Sequence, residues 1–181
     1  MASAELGPSE LEAELERLHE DSFAWALSCC GWVDADAEDV LQTTYVKVIS
    51  GRARFGGRSS FRTWLFGVIR QTAREHRRRA RSQVERVELL AREPAEAGPE
   101  VPRPDEMHER SERRRRLLAA LGELPDRQRE TLHLVFYQDL TIREAAEVME
   151  VSLGSARVHY ERGKKRLRSL LSPEDVGGGA P

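Results

Sequence analysis

The chain has little of what most enzymatic and extracellular chemistry is built from. Its 181 residues include two cysteines, Cys29 and Cys30. Adjacent cysteines cannot form the disulfide framework of a secreted domain, and they lack the spacing of a zinc site. They read as small buried hydrophobes on a helix, with a metal or redox switch involving His19 left open. No apolar run approaches the roughly 20 residues needed to cross a bilayer, and the acidic N-terminus has no signal-peptide layout. The expectation is a cytoplasmic protein without membrane insertion. His19, His76, His108, His133 and His159 form no ligand spacing, and there is no Gly-rich phosphate loop or nucleophile motif. No metal, cofactor or catalytic residue is therefore expected, and the chain is not read as an enzyme.

What is abundant is Arg, Glu, Leu and Ala. With aromatics at 6% and glycine scattered, this favours helices over strands, so the expected class is all-α. The formal charge of -2 hides a segregation. Residues 1 to 40 carry many Asp and Glu against the single Arg17. From 52 to 81, Arg52, Arg54, Arg58, Arg62, Arg70, Arg74, Arg77, Arg78, Arg79 and Arg81 face only Glu75. A second basic group, Arg157, Arg162, Lys164, Lys165, Arg166 and Arg168, faces only Glu161. Solvated helix faces can carry such charge, but two separated basic segments in an otherwise acidic chain point to two contacts with a polyanion, nucleic acid first.

Apolar residues recur at helical spacing in blocks. Leu11, Leu15, Leu18, Ser22, Trp25 and Cys29 predict one helix, with Ser9 and Glu12 as its capping box. Asp34, Asp36, Glu38 and Asp39 open a second, with Ala37, Val40, Leu41, Thr44, Tyr45 and Val48 along one face. A Gly-rich break over 51–57 ends it. Ser59 or Ser60 can cap a third, with Phe61, Trp64, Leu65, Val68, Ile69 and Thr72 inward and an Arg-rich end. Residues 9–81 thus form one predicted helical domain. Pro94, Pro99, Pro102 and Pro104 mark a flexible linker over 82–111, whose extended reach of at most about 100 Å allows the flanking domains to sit far apart. Residues 112–171 form the second predicted domain.

That second domain holds the most informative stretch. Thr141 and Glu144 form a capping box for a short helix bearing Ile142, Ala145, Ala146 and Met149. A turn around Glu150–Gly154 follows, and Ser152 can cap a longer helix with Ala156, Tyr160, Gly163, Leu167 and Leu170 inward. This is a helix-turn-helix pattern, whose second helix enters the major groove. At 3.6 residues per turn, Val158, Glu161, Arg162 and Lys165 lie opposite the inward stripe, with Ser155 and Arg157 near the N-terminal end. Arg162 suits guanine, Glu161 cytosine and Val158 a thymine methyl, while Lys164, Arg166 and Arg168 suit phosphates. In the first domain, Phe55, Phe61, Trp64 and Phe66 sit within and just after a Gly- and Arg-rich segment. Such aromatics can stack on unpaired bases, although Phe61 and Trp64 also fall on the predicted core stripe.

Asp36-Ala37-Glu38-Asp39-Val40-Leu41-Gln42 and Ser60-Phe61-Arg62-Thr63-Trp64-Leu65 resemble region two of the extracytoplasmic-function sigma factors, within the sigma-70 family. Leu124-Pro125-Asp126-Arg127-Gln128-Arg129-Glu130, Asp139-Leu140-Thr141 and the helix-turn-helix resemble region four of the same family. The match covers both domains in order.

The resemblance implies a transcription initiation factor. The helix of Asp36, Glu38, Asp39 and Gln42 would dock on the beta-prime clamp helices of bacterial core RNA polymerase, with region four at the beta flap. Arg54, Arg58, Ser60, Phe61, Trp64, Arg70, Arg74, Arg77 and Arg78 would engage the minus-ten promoter element. Ser155, Arg157, Val158, Glu161, Arg162, Lys164 and Lys165 would engage the minus-thirty-five element. The resemblance also implies an anti-sigma partner. The sequence departs from the family at Gln71, where Asn is usual, at Ala145, where Ile is usual, and at Ser155-Ala156, where Thr-Val is common. The alternative is a dimeric helix-turn-helix repressor or activator that never serves as a polymerase subunit, but no dimerisation heptad stands out beyond the predicted cores.

Overall fold

The computed structural model describes residues 7–90 and 110–172. The four linker prolines and His108 lie outside them. Eight helices and no strand occur among the described residues: α1 (Pro8–Arg17), α2 (His19–Cys29), α3 (Asp34–Ile49), α4 (Phe61–Leu90), α5 (Arg110–Gly122), α6 (Asp126–Phe136), α7 (Ile142–Met149) and α8 (Leu153–Leu171). The all-helical expectation holds.

The single N-terminal helix expected from Leu11 to Cys29 is instead bent into α1 and α2 at Leu18. Hydrogen bonding continues through the bend, Leu18 N to Glu14 O and Ser22 N to Leu18 O. Both torsions open at Leu18, to φ -97° and ψ 5°, and the pivot side chain is buried. The start also differs from expectation. Pro8 occupies the first helical position, where its missing N–H and fixed φ suit a helix start. The Glu10 carboxylate, rather than a Ser9–Glu12 box, accepts from the Gly7 amide at 2.9 Å. Gly31 and Trp32, both at positive φ, turn the chain into α3. Gly51, at φ +70°, stops α3. Ser60 caps α4, its hydroxyl accepting from Thr63 N at 3.1 Å.

The sequence has no proline between Phe61 and Pro94, so nothing interrupts α4 before Leu90, and α5 begins at Arg110. Helix therefore occupies both ends of the 82–111 span read as linker.

The two halves do not sit apart. α4 packs on α7 and α2 on α6. Leu134, Leu140, Ala145, Val148 and Met149 of the second half share one apolar core with Trp25, Leu65, Phe66 and Ile69 of the first. Extended reach is an upper bound, and burial of apolar surface favours closing the loop far more than its length opposes it. A smaller core of Leu121, Leu124 and Leu132, with Tyr160 and Leu167 against it, lies under α8.

Candidate nucleic-acid interface

The local chemistry read in residues 141–171 is what folds. Thr141 Oγ1 accepts from Glu144 N at 3.2 Å while the Glu144 carboxylate accepts from Thr141 N at 2.8 Å. The Thr141 hydroxyl also donates to the Glu144 carboxylate at 2.7 Å, and this bond, with the one from Thr141 N, holds the Glu144 carboxyl below its usual range. Glu150 takes the left-handed conformation (φ 53°, ψ 47°) that ends α7. Ser152 then caps α8, accepting from Ser155 N at 3.1 Å. Arg127 reaches from α6 to donate to the Met149 carbonyl at 3.0 Å, satisfying one of the orphan acceptors at the end of α7. Gly163 sets the depth at which α8 lies on α6. A Cβ there would meet Leu132 at 3.2 Å and Gln128 at 3.3 Å.

With Ala156 and Gly163 buried, the opposite face of α8 presents Ser155, Arg157, Val158, Glu161, Arg162 and Lys165 to solvent. Val158 is 46% exposed, a large apolar side chain held in water. The Ser155 hydroxyl already pairs with Ser152 at 2.9 Å. Lys164 does not stand out into solvent. Its ammonium lies over the Tyr160 ring, 4.8 Å from the centroid, and 3.5 Å from Glu161. Leu170, expected on the inward stripe, is exposed.

The residues expected on the first basic segment separate into distinct environments. Arg58, Arg74 and Arg78 are exposed, and Arg54 is exposed while donating to the Gly51 carbonyl. Phe61 is buried in a three-ring cluster, 5.5 Å from Phe55 and 5.3 Å from the half-buried Trp64. Phe66 is wholly buried, and its carbonyl accepts from the Trp25 indole at 3.0 Å. Core, rather than base stacking, is where Phe61 and Phe66 stand. Arg70 is 3% exposed, its Nε and Nη2 both donating at 3.1 Å to the Glu130 carboxylate of α6. Arg77 pairs with Asp126 at 3.1 Å. Burial works against the Asp126 charge, yet Arg129 and Arg77 together hold its carboxyl below the usual range.

On α3, Glu38, Asp39 and Gln42 are exposed in a row, while Asp36 is half-buried, 3.3 Å from His76. A shallow groove beside them is lined by His19, Phe23, Glu38, Leu41, Gln42 and Tyr45. Phe23 and the His19–Tyr45 pair, in contact at 3.2 Å, do not stand out in the sequence. Tyr45, at a stripe position with a polar tip, is the one signal there that points to them. Among the described residues no group of three or more His, Cys, Asp or Glu side chains is placed to hold a metal ion. Burial raises the Cys29 thiol well above its ordinary range and pushes Cys30 up to about 11. Both stay protonated and poorly reactive at neutral pH.

A helix-turn-helix with an exposed mixed-polarity face, joined to a second arginine-rich helix, defines a helical DNA-binding protein with two basic surfaces. Comparison with known proteins resolves the class further. Residues 16–83 match sigma-70 region 2, and residues 114–167 match sigma-70 region 4. The RNA polymerase sigma factor CarQ of Myxococcus xanthus is 33% identical over 138 residues, covering 75% of this chain and 74% of that protein. The ECF RNA polymerase sigma factor SigX of Bacillus subtilis is 30% identical over 135 residues, covering 74% and 70%. The sigma factor RpoE of Bartonella quintana, solved in complex with the anti-sigma factor NepR, superposes with a TM-score of 0.68 over 90% of this chain and 97% of that one at 23% identity. That last likeness speaks to the fold. The chain belongs to the sigma-70 family of RNA polymerase sigma factors, in the extracytoplasmic-function group. No described helix is long and apolar enough to cross a membrane.

Proposed function

We propose that this sigma factor, acting in the cytoplasm, directs bacterial core RNA polymerase to promoters through α8 at the minus-thirty-five element and through the 51–60 loop and α4 at the minus-ten element, without chemistry of its own. The observation that carries the reading is the α8 face, where Arg157, Val158, Glu161, Arg162 and Lys165 are exposed together on a helix capped at its start by Ser152, after an α7 that is capped by Thr141 and tied at its end by Arg127. Arg162 is assigned to a base edge, and Arg157 and Lys165 to positions flanking it.

On the first half, Arg54, Arg58, Arg74 and Arg78 are assigned to the minus-ten strand, with Trp64 as its one partly accessible α4 aromatic. The α3 row of Glu38, Asp39 and Gln42, with the groove of Phe23 and Tyr45 beside it, is assigned to the clamp helices of the beta-prime subunit. Region four is assigned to the beta flap. Similarity to a sigma factor captured with its anti-sigma partner supports control by such a partner here. Run-off transcription with purified core polymerase tests the reading. The expected result is a promoter-specific transcript that requires this chain. A repressor or activator acting outside the polymerase would yield none.

A further inference from the structure

Two ion pairs bridge α4 and α6, and what lies between them is unbalanced in charge. Arg70 pairs with Glu130 and Arg77 with Asp126, both at 3.1 Å. Numbering rises along α4 from one pair to the other and falls along α6. Arg74 stands between the pairs on the same face of α4, four residues after Arg70 and three before Arg77. On α6 the residue between them is Arg127. No carboxylate separates Arg74 from Arg127. Glu130 is engaged by Arg70, and Asp126 is shared by Arg77 and Arg129. Among the described residues neither Arg74 nor Arg127 has an ion pair, and Arg127 is only half-buried. Its one bond goes to the Met149 carbonyl at 3.0 Å, which sets it beside the turn into α8. There α8 supplies a third side. Gly163 seats it on the neighbouring Gln128, whose Cβ a Cβ at Gly163 would meet at 3.3 Å. At 3.6 residues per turn, His159 and Arg162 fall on one edge of the buried Ala156–Gly163 line, with Tyr160 and Leu167 on the other, against the smaller core. The crowding of cations registers on the groups themselves. Burial, then Arg127 and Arg162, lower the His159 pKa against an opposing pull from Glu130. Burial, then Arg70 and Arg74, act on Arg127 in the same direction.

The geometry points to a binding site for a phosphoanhydride chain, two or more linked phosphates, held by Arg74 of α4, Arg127 of α6 and Arg162 of α8, with His159 beside them. Like charges drawn together without a counter-ion disfavour one another, and a compact multivalent anion reverses the sign of each of those contacts. Guanidinium is the side chain best matched to phosphate, because its fork donates to two oxygens at once. A single small anion meets one such fork. Linked phosphates offer oxygens on separate phosphorus atoms to forks that come from separate helices. Arg74 and Arg162 are also assigned to the minus-ten strand and to a base edge, so an occupied site withholds one contact at each promoter element. That consequence, unlike the binding itself, rests on the proposed function.

The test is isothermal titration of the full chain with inorganic pyrophosphate at fixed ionic strength, without DNA or polymerase. The expected result is one saturable site whose affinity falls about ten-fold in Arg127→Gln and in Arg74→Ala, the effect of losing a hydrogen bond to a charged group. Arg168→Ala removes the same charge from the far side of α8 and should leave the affinity within about two-fold of wild type, as expected for a solvated charge that touches no ligand. Absence of saturable binding overturns the site. So does an equal loss in all three variants, because net charge then accounts for the binding. Where Arg127→Gln loses helicity on freeing the Met149 carbonyl, Arg74→Ala decides, since that side chain is exposed, and wild-type affinity in it overturns the proposal. Titration with ADP identifies the source of the phosphates. Equal or weaker binding names free pyrophosphate as the occupant and tighter binding a nucleoside diphosphate, and either upholds the site. No arm involves a promoter, so failure of the site and failure of the initiation-factor reading are told apart.

Discussion

The two arginine-rich helices carry the same charge signature and live in different surroundings. α8 buries only Ala156 and Gly163 and offers its outer face to solvent. α4 is covered on one side by α2 and α3 and on another by α7, so Phe66, Ile69, Arg70 and Ala73 are all buried. A basic segment therefore does not by itself measure accessible charge. What decides is whether the fold has already supplied the counter-ion.

The largest expected difference between the helices is in stability. Phe66→Ala removes a fully buried ring from the shared core and should destabilise the protein by about 3–5 kcal/mol. Val158→Ala, on the exposed face of α8, should stay within about 0.5 kcal/mol. Urea denaturation of both variants checks this, and similar losses would erase the distinction between the two environments.

A second expected effect depends on pH. His133 is packed against the Trp25 ring, 5.4 Å between centroids, and burial brings its pKa down to about 4, against about 6.5 for a free imidazole. Above pH ~6.5 neither the folded nor the unfolded chain protonates it, and its contribution is intact. As pH falls from there to about 4, the unfolded chain takes the proton first. Stability should drop by on the order of 3 kcal/mol across that window. Denaturation midpoints followed between these pH values should fall for the wild type and flatten in His133→Gln. His159 on α8 is half-buried, and its pKa is lowered by burial and by Arg127 and Arg162. His159→Gln should leave most of the pH dependence in place.

Next in size is base reading. Arg162→Ala should lose about 1–3 kcal/mol at one position of the minus-thirty-five element and leave the others ranked as before. Lys164→Ala, whose ammonium is engaged over Tyr160, should weaken all sequences alike and only slightly. Binding to single-base variants of the element at fixed salt checks both. The full chain is the proper reagent, since Leu134, Val148 and Met149 of the second half belong to the core shared with the first. The smallest expected effect is Thr141→Ala. Loss of the α7 cap should cost about 1 kcal/mol, measured by thermal melting.

Much of the second half is legible in the sequence because its determinants are local. The Thr141–Glu144 box, the Ser152 cap and the inward placement of Ala156 and Gly163 lie within a few residues of what they act on. The first half is legible only on one side. The stripe of Phe61, Leu65, Ile69 and Thr72 is core, as its spacing predicts. Phe66 and Arg70 escape that reading, because Phe66 packs on Trp25, 41 positions earlier, and Arg70 pairs with Glu130, 60 positions later, and a helical projection contains no information about such distant partners. The prolines beyond Leu90 suggest separation, yet a linker's reach sets only a maximum. The bend at Leu18 is illegible for a related reason. Its hydrogen bonds continue almost as in a straight helix, and the departure is confined to the torsions of one residue.

The central claim is that α4 opens promoter DNA while α8 reads it, and permanganate footprinting of unpaired thymines on a promoter bound by the reconstituted polymerase tests it most directly. Arg74→Ala with Arg78→Ala, both exposed, should reduce minus-ten reactivity. It should also make the salt dependence shallower by about 0.7–0.9 in log–log slope for each phosphate no longer neutralised. Arg162→Ala should instead reduce occupancy while the same thymines react once the promoter is saturated. If the Arg74/Arg78 variant gives the wild-type footprint with the wild-type salt slope, α4 is a solvated surface and the division of labour drawn between the two helices is wrong.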